Sequence, residues 1–240
     1  MLLLLKISYH NDGCPRSHSL HAEVQRSTQP ATCTCGILDA DMVSLPSASS
    51  TRGSITFFTG PMCCGKTLEL VRHLHIFHEQ RVPTICLRPC TDIRTPRVES
   101  RSGLLHDAVA VHPEEFEDLE RAIEPALVIG IDEVQLFSPA LIIIVEKALR
   151  QGKILLLSGL DTDFRGIVFP TSHAIMAIPE TNIQRSRAVC AVCREYNATR
   201  TQRLFKGEPV SIHDPIVMIE GAAEDVTYEA RCLAHHAIRV

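Results

Sequence analysis

The sequence has no excess of positive charge: 24 Lys and Arg stand against 28 Asp and Glu, for a net charge of −4 and a pI near 6.3. A surface that coats nucleic acid needs the opposite balance, so that class of function is excluded and a small partner is expected. Long apolar runs are missing too. Residues 140–145 reach about a third of a membrane span of roughly 20 residues. The leucines at 2–5 stop at Lys6 with no basic segment ahead of them, too short for secretion or for spanning, so no membrane partner is expected. No internal repeat is visible. A disulfide framework is not indicated either, because several of the ten cysteines are adjacent or sit at metal-ligand spacing. Thiols in such arrangements point to a reducing, cytoplasmic compartment. The 240 residues can bury one substantial core and a small appended module.

What is present begins with Gly60, Pro61, Met62, Cys63, Cys64, Gly65, Lys66 and Thr67, a match to G-x-x-x-x-G-K-[ST] between a strand-like and a helix-like run. The two glycines let the backbone wrap a polyphosphate, successive N–H groups and the helix start face the anion, and Lys66 adds a mobile positive charge. Thr67 is placed to hold Mg²⁺ through its hydroxyl. Cys63 and Cys64 lie inside this positive loop, a setting that favours thiolate unless burial opposes it. Further on, the apolar run 126–131 delivers Asp132 and Glu133 at its end, as a buried parallel strand does at the edge where ligands bind. Asp132 is then the metal-side carboxylate, and Glu133 is free to act as general base.

Cys190-x-x-Cys193 and Cys232-x-x-His235 form two ligand pairs separated by 38 residues. Three thiolates and one imidazole close a tetrahedral, structural Zn²⁺ shell, with His236 as the alternative fourth ligand.

Residues 1–52 lack sustained periodicity and read as a poorly ordered extension. Residues 53–185 alternate strand-like and helical patterns, which implies an α/β domain with a parallel sheet flanked by helices. Its strands are expected at 55–59, 83–88, 126–131 and 153–158, with a last one at 173–178. Helices are expected from Lys66, from Pro113, and at 141–150 with Ser138 as N-cap. Residues 186–240 form the zinc-binding module, and the stretch 196–224 reads as a substrate-covering loop.

The order of these features resembles the zinc-containing (type II) thymidine kinases over about residues 53–236. The resemblance rests on the phosphate loop, Asp92-x-Arg94, Ser100-Arg101-x-Gly103, Ile131-Asp132-Glu133-x-Gln135, Gly159-Leu160-Asp161-x-Asp163-Phe164, the two zinc pairs, Thr201-Gln202-Arg203, and Tyr228 four residues before Cys232. It implies transfer of the γ-phosphate of ATP to the 5′-hydroxyl of thymidine by a homotetramer, with Mg²⁺ accompanying ATP. ATP would meet residues 60–67 and Asp132, Glu133, Val134 and Gln135. Substrate contacts would come from Met62, Asp92, Arg94, Gln135, Phe137, Leu160, Phe164, Thr201, Arg203 and Tyr228, under a lasso-like loop. Two departures stand out: Cys63 and Cys64 replace an aromatic and a serine, and Leu136 precedes Phe137 where the family has Phe first. Other readings of the same features are a P-loop ATPase carrying a zinc-ribbon binding module, and an inactive structural homologue.

Overall fold

Short β-branched and aromatic runs alternate with amphipathic stretches, and each pair builds one strand and one crossover of a layered α/β fold. A computed structural model describes residues 53–92, 97–218 and 225–240, together with Leu4–Leu5 and Val24–Gln25. The chain divides into two compact units, Met1–Ser49 and Ser50–Val240. In the first, Leu4–Leu5 pairs antiparallel with Val24–Gln25. The rest of the expected extension lies outside the described residues.

In the second unit six strands form one sheet: β1 (Ser54–Thr59), β2 (Thr84–Pro89), β3 (Val109–Val111), β4 (Val128–Ile131), β5 (Ile154–Gly159) and β6 (Thr181–Arg185). Their order is β6-β1-β5-β4-β2-β3 and every pairing is parallel. Helix α1 (Lys66–Glu79) covers one face through Leu70, Val71, Leu74 and Phe77, packed on Phe58, Cys86 and Leu156. Helices α2 (Phe116–Ile123), α3 (Leu141–Arg150) and α4 (Pro170–Met176) cover the other, where Leu119, Leu141, Val145 and Ile175 meet Phe57, Ile129 and Leu155. Buried on both faces, β4 and β5 are apolar almost throughout, as parallel strands under two helical layers must be.

Four expectations need correction. Residues 173–178 do not form the last strand: Pro170 opens helix α4, whose buried Thr171, Ser172 and Ile175 follow helical spacing, and the sixth strand comes later at Thr181–Arg185. Helix α2 starts at Phe116 rather than at Pro113, and α3 has Ala140 as its N-cap, because Ser138 and Pro139 are spent on the preceding turn. The stretch 196–224 is not one loop. Its first half is β7 (Arg200–Phe205), which pairs antiparallel with β8 (Glu208–Pro209) and with β9 (Val226–Arg231) to make a second, three-stranded sheet.

The register brings the site together. Thr59 pairs with Gly159, and Ile131 with both Leu87 and Leu157. The strands therefore finish level, and the phosphate loop, Asp132 and Leu160 all emerge from one edge of the sheet.

Candidate active site

The loop that follows β1 is built on positive φ angles: 136° at Gly60, 63° at Cys63 and 91° at Gly65. Gly65 is the left-handed N-cap of α1, so the loop runs straight into the helix N-terminus, whose N–H groups favour an anion. At Gly60 a Cβ would stand 2.4 Å from the Ser186 carbonyl oxygen, so no larger residue fits there. Lys66 Nζ donates to the Pro61 carbonyl at 2.8 Å and so spans the loop.

Asp132, buried at the end of β4, accepts from Thr67 Oγ1 at 3.4 Å and from Ser158 Oγ. Ser158 carries no motif, and its part in holding Asp132 is legible only from the neighbouring strand. A threonine hydroxyl beside a carboxylate supplies the hard oxygen donors that suit Mg²⁺. Glu133 sits at φ 52°, ψ 45°, a left-handed conformation costing on the order of 1 kcal/mol for a residue with a Cβ. That turn aims its side chain out of the sheet edge. Gln135 holds it there: the Leu160 N–H donates to Gln135 Oε1 at 3.0 Å, which leaves Nε2 to donate to Glu133 Oε2.

Glu133 opens into a cavity lined by Met62, Leu160, Phe164 and Tyr228, with Asp92, Gln135 and Thr201 supplying polar groups. Seven of the expected substrate contacts thus share one cleft with Glu133. Two do not, and Arg94 lies outside the described residues. Phe137 is turned into the core, where Thr171 Oγ1 donates to its carbonyl, and Leu136 lines the cavity instead. Arg203 is fully buried behind the wall: its guanidinium stacks 3.9 Å from the Phe164 ring centre and its Nη1 donates to the Pro215 carbonyl at 2.6 Å. Residues that the sequence did not assign individually to substrate contact also belong here. Ile216, Val217 and Met218 close the cavity, and Tyr228 Oη donates to the Met218 carbonyl at 2.6 Å. Asp163 lines it too, with its carboxylate saturated by the Arg165 guanidinium and by the N–H groups of Arg165 and Ile167.

The Cys190, Cys193, Cys232 and His235 ligand atoms lie within 4.8 Å of one another. His235 Nδ1 is the atom that faces them, 3.2 Å from Cys232 Sγ, whereas His236 turns away and its Nε2 meets the Phe164 carbonyl at 2.8 Å. Burial alone would raise the Cys190 thiol, but the N–H groups of Cys232, Cys193 and Val192 bring it down to about 5. A thiolate among close thiols and an imidazole nitrogen is the donor set a tetrahedral Zn²⁺ takes, so the residues fit the ion. The C-terminal segment also touches the phosphate loop: Cys64 packs against the buried cluster of Ala188, Cys190, Ala198, Ala230 and Cys232, and the Met62 N–H donates to Thr201 Oγ1 at 3.1 Å. Burial raises the Cys64 thiol, ahead of the lowering pull of Lys66, so at this cysteine burial opposes the thiolate that the loop favours. Cys63 is exposed.

A parallel sheet, a glycine-shaped anion loop opening a helix, and an acid at the end of β4, across β5 from the strand that carries the loop, define a P-loop nucleotide-binding protein of the α/β class. Comparison narrows the class. Residues 53–236 match the model of the thymidine kinase family. The chain is also 36% identical over 188 residues to a thymidine kinase of Coprothermobacter proteolyticus, an alignment covering 78% of this chain and 91% of that protein. The chain belongs to the thymidine kinase family.

Proposed function

We infer that the protein is a thymidine kinase, transferring the γ-phosphoryl group of ATP to the 5′-hydroxyl of thymidine. The observation that carries this reading is the continuity of the two halves of the site. Met62 belongs to the phosphate loop and also lines the cavity that holds Glu133, so a nucleoside in the cavity and a nucleotide on the loop would meet beside one carboxylate.

In this reading the backbone of residues 60–67 and Lys66 bind the phosphates, with Asp132, Glu133, Val134 and Gln135 along the edge of the nucleotide site. Glu133 takes the proton from the attacking hydroxyl while Gln135 keeps the carboxylate aimed. Thr67 and Asp132 would hold Mg²⁺, which supplies charge neutralisation for the phosphates. Met62, Leu160 and Phe164 grip the base, and residues 216–218 cover it, pinned by Tyr228 and Arg203. Asp92, Arg94 and Thr201 complete the substrate contacts. Zn²⁺ would tie the ends of the covering segment through Cys190, Cys193, Cys232 and His235. We assign residues 53–185 to the nucleotide-binding domain and 186–240 to the zinc module, in a cytoplasmic homotetramer. Among the described residues no helix is long and apolar enough to cross a membrane.

The test is a nucleoside panel with labelled ATP. Phosphoryl transfer should depend on thymidine. ATP hydrolysis that proceeds equally without any nucleoside would instead identify an ATPase carrying a zinc-ribbon module.

A further inference from the structure

Three histidines that the phosphoryl-transfer site does not use meet beside α1. His75 and His78 lie one turn apart on that helix, and His106 comes from the short strand Leu105–His106 that pairs with Val98–Glu99. The His106 ring stands edge-on to both, with ring centres 5.4 Å from His75 and 6.2 Å from His78. Two imidazoles sharing one zinc-like cation have ring centres roughly 5 Å apart, because each nitrogen binds at about 2.0–2.1 Å. The observed spacing is close to that.

The hydrogen bonds prepare the rings for the same task. His75 Nε2 donates to the Leu105 carbonyl at 2.9 Å, and His106 Nδ1 to the Asp107 carbonyl at 2.7 Å. Each ring then keeps a lone pair on its other nitrogen. An N–H anchored on a backbone carbonyl is the support that metal-bound histidines have, since it fixes tautomer and orientation. Burial, and beyond it the neighbouring His75 and His78, hold His106 below the usual histidine range despite its bond to Asp107. Among the described residues the zinc set alone already has its ligand atoms within 4.8 Å. His78 is exposed, so its side chain has room to rotate toward the other two rings.

We propose that His75 Nδ1, His78 and His106 Nε2 bind one divalent transition-metal cation of the imidazole-preferring class, such as Zn²⁺, Ni²⁺ or Cu²⁺. The ion clips α1, the helix that carries the phosphate loop at its start, to the Leu105–His106 strand. Binding to the folded state alone stabilises it by mass action.

The test uses the full-length protein loaded with one equivalent of Zn²⁺, then titrated with Ni²⁺ by calorimetry while Tm is followed. The expected result is a Ni²⁺ site that His78→Ala and His106→Asn each weaken by about tenfold or more. Ni²⁺ should raise the Tm of the unaltered protein but not that of His78→Ala. His78 is exposed and holds no other element, so its variant should fold and keep its kinase activity. His213→Ala serves as a control and should bind like the unaltered protein. The proposal is overturned if His78→Ala and His106→Asn bind Ni²⁺ as tightly as the unaltered chain, or if His213→Ala loses as much.

Discussion

Two residues carry the sharpest expectations. Glu133 is held by Gln135 at the mouth of the cavity, so Glu133→Gln should keep the turn and the hydrogen-bonding shape while losing the proton acceptor. The expected outcome is a fall in kcat of roughly 10²-fold or more with ATP binding nearly unchanged, since general-base contributions are of order 10² to 10⁴. Unaltered turnover in a single-turnover assay would refute the role. Cys63 is the second. It is exposed in the phosphate loop, whereas burial raises the Cys64 thiol, so iodoacetamide should reach Cys63 first. An adduct there would collide with the phosphates, so inactivation should be slowed by MgATP and absent in Cys63→Ser. Peptide mapping checks it: label confined to the zinc cysteines, without ATP protection, would rule the idea out.

Individual elements depend on contacts that only their neighbours supply. The loop between β1 and α1 turns at Gly60 with φ 136°, where a Cβ would meet the Ser186 carbonyl at 2.4 Å. Gly60→Ala should therefore distort the phosphate cradle and raise the KM for ATP more than tenfold, because the strained backbone and the clash add. Helix α2 ends against Lys153, whose Nζ donates to the carbonyls of Ile123, Glu124 and Ala126 at 2.9, 2.9 and 2.7 Å. Lys153→Met keeps the stem but orphans buried carbonyls at a cost of about 1–3 kcal/mol. Denaturant titration should show that loss with the slope of the transition unchanged.

Across the whole Ser50–Val240 unit, the zinc ligands, covering segment and phosphate loop form one connected body. Cys64 packs against the buried cluster that includes Cys190 and Cys232, Thr201 holds the Met62 N–H, and His236 reaches the Phe164 carbonyl. After dialysis that strips weakly held metal, elemental analysis should find one zinc per chain, at the Cys190, Cys193, Cys232 and His235 set. Chelation should raise the KM for thymidine more than that for ATP, because the covering segment hangs on the metal at both ends while the phosphate loop is also held by β1 and α1. A metal-free preparation with full thymidine affinity would contradict this coupling.

Local rules written into the chain settled much of this protein. The phosphate loop, the acid-tipped β4, the metal-ligand spacing and the strands at 55–59 and 153–158 follow from glycine, charge and apolar periodicity. These signals act over a few residues, where steric and hydrophobic effects are decided by neighbours in sequence. Other features depended on which segments meet. The helix at Pro170–Met176 and the strand at Thr181–Arg185 hinge on which apolar side chains find a partner face. Motif reading placed Phe137 at the substrate, yet the core had room for that ring and turned Leu136 to the cavity. Ser158 joins the site from β5 with no motif to mark it, Asp163 stands in the Gly159–Phe164 motif without a role that the motif assigns, and the covering loop expected over 196–224 narrows to 216–218 only in the fold, because a side chain's role in a cleft is set by the register of strands and the closure of loops far apart in sequence.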